Sequence, residues 1–179
     1  CGMGHSMKRK EDPRFIRGKG NYVDDIKLPG MLYMDIVRSP YAHAKIKKID
    51  TSKALKIPGV LAVIDGPTLE KYKLHWMPTI SADTQMVLPI DEVMYQAQEV
   101  CAVIATERYI AADGADAVDV EYEPLPVTVD PLKSIAPGAP LMRKDKKDKK
   151  DNLAFHWEAG DRDQTERALA ACDVVAEQY

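Results

Sequence analysis

The sequence predicts an α/β fold, with α and β elements mixed along the chain and short helices packed on a mixed β-sheet. Two continuous apolar runs, Val60–Ile64 and Val100–Ala105, are typical of strands covered on both faces. A third run, Met31–Arg38, alternates apolar and polar residues, as a half-buried strand does. The helix predicted after Thr106 carries a stripe of small residues around Gly114, which lets a helix lie close on a sheet.

The first half of the chain is predicted to contain an arm, three strands and two short helices. In chain order these are an extended arm (residues 1–27) with a turn at Gly18-Lys19-Gly20, a hairpin of Met31–Arg38 and Ala44–Ile49, a helix over Thr51–Leu55, the strand Val60–Ile64, and a helix from Pro67 to about Tyr72. The apolar spacing slips between Ile46 and Ile49, which predicts a bulge. Asp50 suits the N-cap of the first helix, and Pro67 the first turn of the second.

The second half is predicted to alternate loops with strands and helices. In chain order these are a long loop (Leu74–Asp91), the strand Glu99–Ala105, a helix capped by Thr106, a strand around Val120–Tyr122, a loop over Pro131–Asp151, the strand Leu153–Trp157, a helix capped by Asp161, and a strand from Val174. Asp161 with Gln164 resembles a capping box. Because the chain ends at Tyr179 within a predicted strand, whose backbone groups would lack partners, we expect a longer polypeptide.

The domain organisation predicted from these elements has four parts. They are an N-terminal arm (1–27), an α/β domain (28–135), a charged loop (136–152) and the truncated start of a following segment (153–179). No apolar run reaches the ~20 residues that cross a bilayer, and no signal-peptide hydrophobic region is present, so we predict no transmembrane segment.

The overall charge argues against a nucleic-acid-binding function. The formal net charge is −3 and the pI about 5.8, so the chain lacks a basic field that would displace counterions. One local stretch is rich in lysine: Lys144, Lys146, Lys147, Lys149 and Lys150 alternate with Asp145, Asp148 and Asp151. This alternation cancels much of the local field and favours a solvated loop.

No residue is assigned a catalytic, cofactor-binding or metal-binding role. Of the three cysteines, Cys1, Cys101 and Cys172, the last two lie on apolar faces and are predicted to be buried, which favours a reducing compartment. The histidines, His5, His43, His75 and His156, have no partner at metal-ligand spacing. Asp24 and Asp25 are interpreted as turn-capping carboxylates. Ser39, His43 and Asp50 lack the sequence context of a catalytic triad.

Several motifs follow one another in an order that covers nearly the whole chain. They are Arg9–Phe15 (RKEDPRF), Gly18–Ile26 (GKGNYVDDI), Leu28–Leu32 (LPGML), Val37–Ala44 (VRSPYAHA), Pro58–Val60 (PGV), Glu99–Ala105 (EVCAVIA) and Val120–Pro126 (VEYEPLP). Together they resemble the opening of molybdenum hydroxylase large subunits, the family of xanthine dehydrogenase, aldehyde oxidase and carbon monoxide dehydrogenase. Leu74–Thr79, Tyr95–Val100 and Phe155–Asp161 are similar to the carbon monoxide dehydrogenase branch.

The resemblance implies an α/β hammerhead fold and a structural role in an enzyme complex. It implies that this complex lies in the cytoplasm, either free or attached peripherally at the inner membrane face. In that complex, water and carbon monoxide give carbon dioxide. Molybdenum on molybdopterin cytosine dinucleotide, with or without copper, belongs to the rest of the large subunit. FAD lies on a medium subunit and iron–sulfur centres on a small subunit. The family's catalytic motifs lie downstream, so no cofactor and no catalytic residue is carried over, and Cys101 is not assigned to copper.

Two alternatives remain open from the sequence. The first keeps the family but makes the substrate an aldehyde or an N-heterocycle. The second is a free-standing, non-enzymatic scaffold or binding domain. If the chain belongs to this family, whichever the substrate, the loops Leu74–Pro89 and Ala136–Asp151 are the surfaces expected to contact partner subunits.

Overall fold

The structure is a computed structural model that describes residues 2–79 and 84–176. The strands are β1 (Tyr33–Arg38), β2 (Ala44–Asp50), β3 (Val60–Asp65), β4 (Trp76–Pro78), β5 (Thr84–Met86), β6 (Glu92–Val93), β7 (Glu99–Ala105) and β8 (Asp119–Pro124). The helices are α1 (Asp12–Phe15), α2 (Gly66–Lys71), α3 (Arg108–Asp116), α4 (Pro131–Ser134) and α5 (Arg162–Ala170), with 3₁₀ turns at Val23–Asp25 and Ala54–Lys56. The predicted α/β class with short helices is confirmed. The described strands form three antiparallel sheets, however, rather than the single mixed sheet that the sequence predicts.

The first sheet has the strand order β1-β7-β3, with α3 packed on one face. The central strand β7 is the apolar run predicted from sequence, and five of its seven residues are buried. A methyl group on Gly114 of α3 would lie 2.7 Å from Val103 Cγ1 and 3.0 Å from Val60 Cγ2. The close helix–sheet packing predicted at this glycine is therefore confirmed.

The second sheet has the order β6-β2-β8 and packs around a small apolar core. Ala44, Val93 and Val100 are fully buried there, and Ile46, Ile49, Val120 and Tyr122 pack against them. The register of β2 against β8 shifts between Ile46 and Lys48, which confirms the predicted bulge. Because Val100 belongs to β7, this core joins the first sheet to the second.

The predicted hairpin between the first two strands is wrong. β1 pairs with β7, while β2 pairs with β6 and β8. Ser39 and Pro40 lie between the two strands, and the Ser39 backbone bonds to Gln98 and Ala97 at the start of β7. The chain therefore leaves the first sheet after Arg38, because β7 offers β1 an apolar partner that β2 does not.

Of the four predicted helix starts, two are confirmed, near Pro67 and at Asp161, and two are wrong. Asp65 caps α2 through a 2.9 Å bond from the Thr68 N–H, so that helix starts one residue before Pro67. Asp50 accepts from the Ser52 N–H, but a 3₁₀ turn at Ala54–Lys56 replaces the predicted helix. Thr106 does not cap α3, because its N–H donates to Gly59 and the N-cap is Glu107.

The segment after residue 152 differs from its prediction. No strand forms at Leu153–Trp157 or over residues 174–176, and residues 177–179 of the predicted last strand lie outside the described residues. Asp161 does cap α5, accepting from the Gln164 N–H at 2.9 Å. Residues 153–176 are all exposed, Cys172 included. Its predicted burial is wrong because α5 packs on no described element of the chain.

Two of the predicted loops contain regular structure. The stretch Leu74–Asp91, predicted to be a loop, contains the β4–β5 hairpin. Pro131–Asp151 contains the single-turn helix α4, which Asp130 caps. In the N-terminal arm the predicted turn is confirmed at Gly18, whose φ is +68° and whose N–H donates to the Phe15 carbonyl. Among the described residues no helix is long and apolar enough to cross a membrane.

Candidate functional site

A cleft lies between the β4–β5 hairpin and the segment 136–152, which we name the strap. Its volume is about 370 Å³, within the range of small binding pockets. The lining residues are Trp76, Gln85, Met86, Pro89, Asp91, Glu92, Met94, Tyr95, Gln98, Arg143, Lys144 and Asp145. The cleft therefore joins the two loops that the sequence marks as contact surfaces.

One wall of the cleft is held in place by an ion pair between the strap and the second sheet. Lys144 Nζ lies 2.9 and 2.8 Å from the two carboxylate oxygens of Glu92, the first residue of β6. Burial, the largest single influence, raises the pKa of Glu92, but the hydrogen bonds and charge of Lys144, together with nearby His43, outweigh it, so the net pKa lies below its usual value. Glu92 is therefore a carboxylate at neutral pH.

His43 lies behind Glu92 and is 5% exposed. Its Nδ1 is 2.8 Å from the Pro126 carbonyl oxygen, so Nδ1 carries the proton and donates to it. Its Nε2 lies 3.6 Å from a Glu92 carboxylate oxygen and makes no hydrogen bond to any described residue. His43, Glu92 and Lys144 therefore form one line of polar groups from the core to the strap.

The strap has its own internal hydrogen bonds, centred on Asn152. The Asn152 amide donates to the Ser134 and Pro140 carbonyls at 2.9 Å each, and its side-chain oxygen accepts from the Met142 N–H at 2.9 Å. Arg143 is paired with Asp145 through two bonds of 2.8 and 2.7 Å. These contacts close the strap into a compact turn, with Arg143 to Asp145 against the cleft.

The opposite wall is the turn that leads into β7. The buried side chain of Gln98 accepts from the Met94 N–H at 2.6 Å, which closes this turn. Ala97 has a φ of +65°, and its N–H donates to the Ser39 carbonyl. Burial, together with the nearby carboxylate of Glu99, raises the pKa of Tyr95. These hydrogen bonds fix the shape of the turn, and Tyr95 presents a neutral phenol to the cleft.

The groups considered as catalytic from the sequence are not brought together. The Ser39 hydroxyl donates to the Tyr41 carbonyl and accepts from the Tyr41 N–H, two residues away. Asp50 bonds to Ser52 and Lys48, which lower its pKa. Asp24 is paired with Arg108 at 2.5 Å, and this pairing lowers its pKa. Each group has a structural role of its own, and no hydrogen bond among the described residues joins His43 to Ser39 or to Asp50, as a triad would require.

The described residues do not fit a molybdenum or copper centre. No group of three His, Cys, Asp or Glu side chains among them could hold a metal ion. Cys101 is fully buried, and burial, with the neighbouring Asp65, raises the pKa of its thiol to about 12. A metal-binding cysteine must be a thiolate, whereas this one is a protonated packing residue. No catalytic step is therefore assigned to this chain's residues.

The sequence did not identify Glu92 and Lys144 as partners. They lie 52 positions apart and belong to a two-residue strand and an irregular segment, neither of which has a periodic pattern. The available signal was local: Lys144 begins the lysine-rich stretch, and Glu92 precedes a buried valine. Neither feature indicates a pairing before the fold is known.

The sequence family described as "Aldehyde oxidase and xanthine dehydrogenase, a/b hammerhead domain" matches residues 17–126. The chain is 52% identical over 184 aligned residues to the carbon monoxide dehydrogenase large chain of Afipia carboxidovorans, covering 98% of this chain and 23% of that one. It is 49% identical to the carbon monoxide dehydrogenase large chain of Hydrogenophaga pseudoflava, covering 100% and 23%. The chain thus spans under a quarter of the length of these relatives.

A solved structure shares the fold as well as the sequence. It is the reconstituted CO dehydrogenase from Oligotropha carboxidovorans, which superimposes with a TM-score of 0.81 at 52% identity over 97% of this chain and 23% of that one. The fold expected from the resemblance is confirmed. The chain belongs to the aldehyde oxidase and xanthine dehydrogenase family and carries its a/b hammerhead domain.

Proposed function

We propose that this chain is the N-terminal structural domain of the molybdenum-cofactor-binding large subunit of an oxidoreductase, and that the enzyme is a carbon monoxide dehydrogenase. The observation that supports this proposal is the 52% identity over 98% of the chain to such a large chain, together with the TM-score of 0.81. In the whole enzyme, carbon monoxide and water would give carbon dioxide, two protons and two electrons.

The cofactors of that enzyme lie outside this chain in the proposal. Molybdenum on molybdopterin cytosine dinucleotide, with copper, would supply the redox chemistry in the rest of the large subunit. FAD on a medium subunit and iron–sulfur centres on a small subunit would receive the electrons. The chain alone is then inactive.

The chain's own role is to provide a rigid platform in the complex. We divide it into the arm (1–27), the hammerhead domain (28–135), the strap region (136–152) and a segment that leads into the rest of the subunit (153–179). The free thiols of Cys101 and Cys172 support a reducing compartment, the cytoplasm. The exposure of residues 153–176, with Phe155 and Trp157 among them, supports packing of this segment on the remainder of the complex.

The second candidate is a hydroxylase of the same family that acts on an aldehyde or an N-heterocycle. The matched family includes aldehyde oxidase and xanthine dehydrogenase, which supports this second candidate. A free-standing scaffold of 20.0 kDa is the third. Metal content separates all three candidates, because only the carbon monoxide enzyme would need copper beside molybdenum.

The deciding experiment is native purification of the protein with whatever chains accompany it, followed by metal and flavin analysis. Molybdenum, iron, FAD and copper, together with carbon monoxide oxidation, are expected. Molybdenum, iron and FAD without copper would transfer the proposal to the aldehyde or heterocycle candidate. A metal-free, monodisperse species near 20 kDa would leave only the scaffold.

The platform role is tested through the two loops that border the cleft. Shortening 74–89 or 136–151 to a Gly-Ser linker is expected to weaken assembly with the flavin and iron–sulfur subunits, because both loops would face partners. Size-exclusion chromatography with iron and flavin analysis measures this. Unchanged assembly in both deletions would refute the contact role of these loops.

A further inference from the structure

The cleft offers an apolar surface bordered by two ion pairs and by the carboxylate of Asp91. Trp76 and Tyr95 are 39% and 48% exposed at its edge, and Met86, Pro89 and Met94 lie beside them. The strap's charged groups that line it are already engaged, Lys144 with Glu92 and Arg143 with Asp145. Because these charges are neutralised in place, the cleft favours an uncharged, apolar side chain over an ion.

The strap adjoining the cleft carries an excess of positive charge. Between positions 143 and 151 there are six cations and three carboxylates, which gives a net charge of +3. The whole chain carries −3, so the other residues together carry −6. Lys147 and Lys150 are exposed and form no ion pair with any described residue. The strap meets the apolar cleft through residues 143–145, and we call Lys147 and Lys150, a few positions further along the strap, the positive rim.

We propose that the cleft and these lysines form one docking surface for an acidic protein segment that inserts an aromatic or aliphatic side chain. The inference rests on the proposed function and adds the chemistry of the partner, which would be a subunit of the same complex. Interfaces of this kind combine a central apolar anchor in a pocket with complementary charges at the rim. The carboxylates of the segment would face Lys147 and Lys150.

The alternation of charge in the strap favours a protein over a polyanion. Asp145, Asp148 and Asp151 recur at every third position among the lysines. They repel the closely spaced phosphates of a nucleic acid or a lipid surface, which bind through uninterrupted positive charge. A protein segment can place its carboxylates between them. The cleft volume of about 370 Å³ suits one large side chain of such a segment.

The direct test is zero-length carbodiimide cross-linking of the native complex, which joins an amine to a carboxylate in contact with it. Mass spectrometry is expected to find Lys147 or Lys150 linked to an Asp or Glu of a different subunit, next to an aromatic or aliphatic residue. Links from these lysines only to this chain, to a second copy of it, or to no protein would overturn the proposal. Mixing isotope-labelled and unlabelled complexes identifies links between copies.

Charge reversal tests the rim with a matched control. Lys147→Glu with Lys150→Glu is expected to slow subunit association about tenfold at low salt and to flatten its salt dependence, since rim charges act mainly on encounter. Lys53→Glu with Lys56→Glu makes the same change in net charge at exposed lysines in a different part of the fold. If both double variants slowed association equally, the effect would come from net charge alone, and the assignment of Lys147 and Lys150 to the docking surface would be overturned.

Truncation tests the apolar anchor. Trp76→Ala is expected to raise the dissociation rate of the partner subunit about tenfold, whereas Tyr72→Ala, an exposed aromatic outside the cleft lining, leaves it unchanged. An unchanged dissociation rate in Trp76→Ala would overturn the anchor. Molybdenum, iron and flavin contents are measured on the same samples. Normal contents in the native complex without the expected cross-link would refute this inference and leave the proposed function standing.

Discussion

Burial determines the chemistry of Cys101. The residue lies in the central strand of the first sheet with no exposed surface, and the pKa of its thiol is raised to about 12. The thiolate, which is the reactive form, is therefore almost absent at neutral pH. The prediction that this cysteine is a packing residue follows from its apolar neighbours and is confirmed by its burial.

We predict that Cys101 resists alkylation in the folded protein. At pH 8, iodoacetamide should modify it more slowly than in the urea-unfolded chain by at least about a hundredfold, because folding removes both access and thiolate. Peptide mass spectrometry over time measures this rate, with the unfolded sample as the control. Equal rates in the two samples would mean that Cys101 is exposed and reactive.

Ala97 has a backbone conformation that favours glycine. Its φ is +65°, and it is held there by its bond to Ser39 and by the Arg38 guanidinium, which donates to its carbonyl at 2.9 Å. An alanine in the left-handed region costs about 1–2 kcal/mol. Glycine removes this cost, but its greater conformational freedom in the unfolded chain offsets part of the gain. We predict that Ala97→Gly raises the free energy of unfolding by about 0.5–1 kcal/mol.

Urea unfolding of Ala97→Gly checks this prediction. Lys73, with φ of +60° just after α2, offers a second site of the same kind, where Lys73→Gly should act in the same direction. Ala97→Val should lower the free energy of unfolding, because a β-branched residue tolerates this region least. If the glycine variant is the less stable one, Ala97 is not strained.

At the scale of elements, α3 packs closely on the first sheet. Gly114 lies where even a methyl group would approach Val103 and Val60 within 3.0 Å. Val103 is fully buried and cannot move aside without disturbing β7. We predict that Gly114→Ala lowers the free energy of unfolding by about 1–3 kcal/mol, the usual cost of overpacking, despite the better helix propensity of alanine.

Thermal and urea unfolding measure the effect at Gly114. Asp113→Ala, at an exposed position of the same helix, is the control and should change stability by no more than about 0.5 kcal/mol. A Gly114→Ala variant as stable as that control would show that the helix can shift outward. That result would disprove the close approach of Gly114 to Val103 and Val60.

The β4–β5 hairpin shows the limit of prediction at this scale. Its two three-residue strands, Trp76–Pro78 and Thr84–Met86, are too short to show a period of two, and one of them contains a proline. Proline weakens a strand prediction because it cannot donate to the ladder. The long strands β3 and β7 were predicted within one residue, because they carry enough apolar residues to show their burial.

In the molecule as a whole, the line from His43 through Glu92 to Lys144 attaches the strap to the domain. The folded pKa of Glu92 lies below its unfolded value of about 4.3. Its contribution is therefore fully present above pH ~4.3 and is lost as the pH falls through the folded pKa. We predict that Glu92→Gln lowers the free energy of unfolding by about 1 kcal/mol at pH 7, since Lys144 is half exposed and screened.

The pH dependence is the decisive measurement for Glu92. The difference between the native chain and Glu92→Gln should be constant from pH 6 to 7 and shrink toward zero as the pH falls through the lowered folded pKa of Glu92, below which both side chains are neutral. Glu70→Gln, at an exposed position on α2, is the control and should show no such trend. A difference that persists unchanged at low pH would show that the charge of Glu92 does not attach the strap.

By itself the sequence determined what depends on near neighbours: the apolar strands β3 and β7, the Asp161 cap, the turn at Gly18 and the order of family motifs. Only the tertiary structure decided that β1 pairs with β7 and that Lys144 meets Glu92 across 52 positions. The reason is physical. Local hydrogen bonds and burial periodicity are encoded within a few residues, whereas strand partners and long-range ion pairs depend on how separate segments share one core.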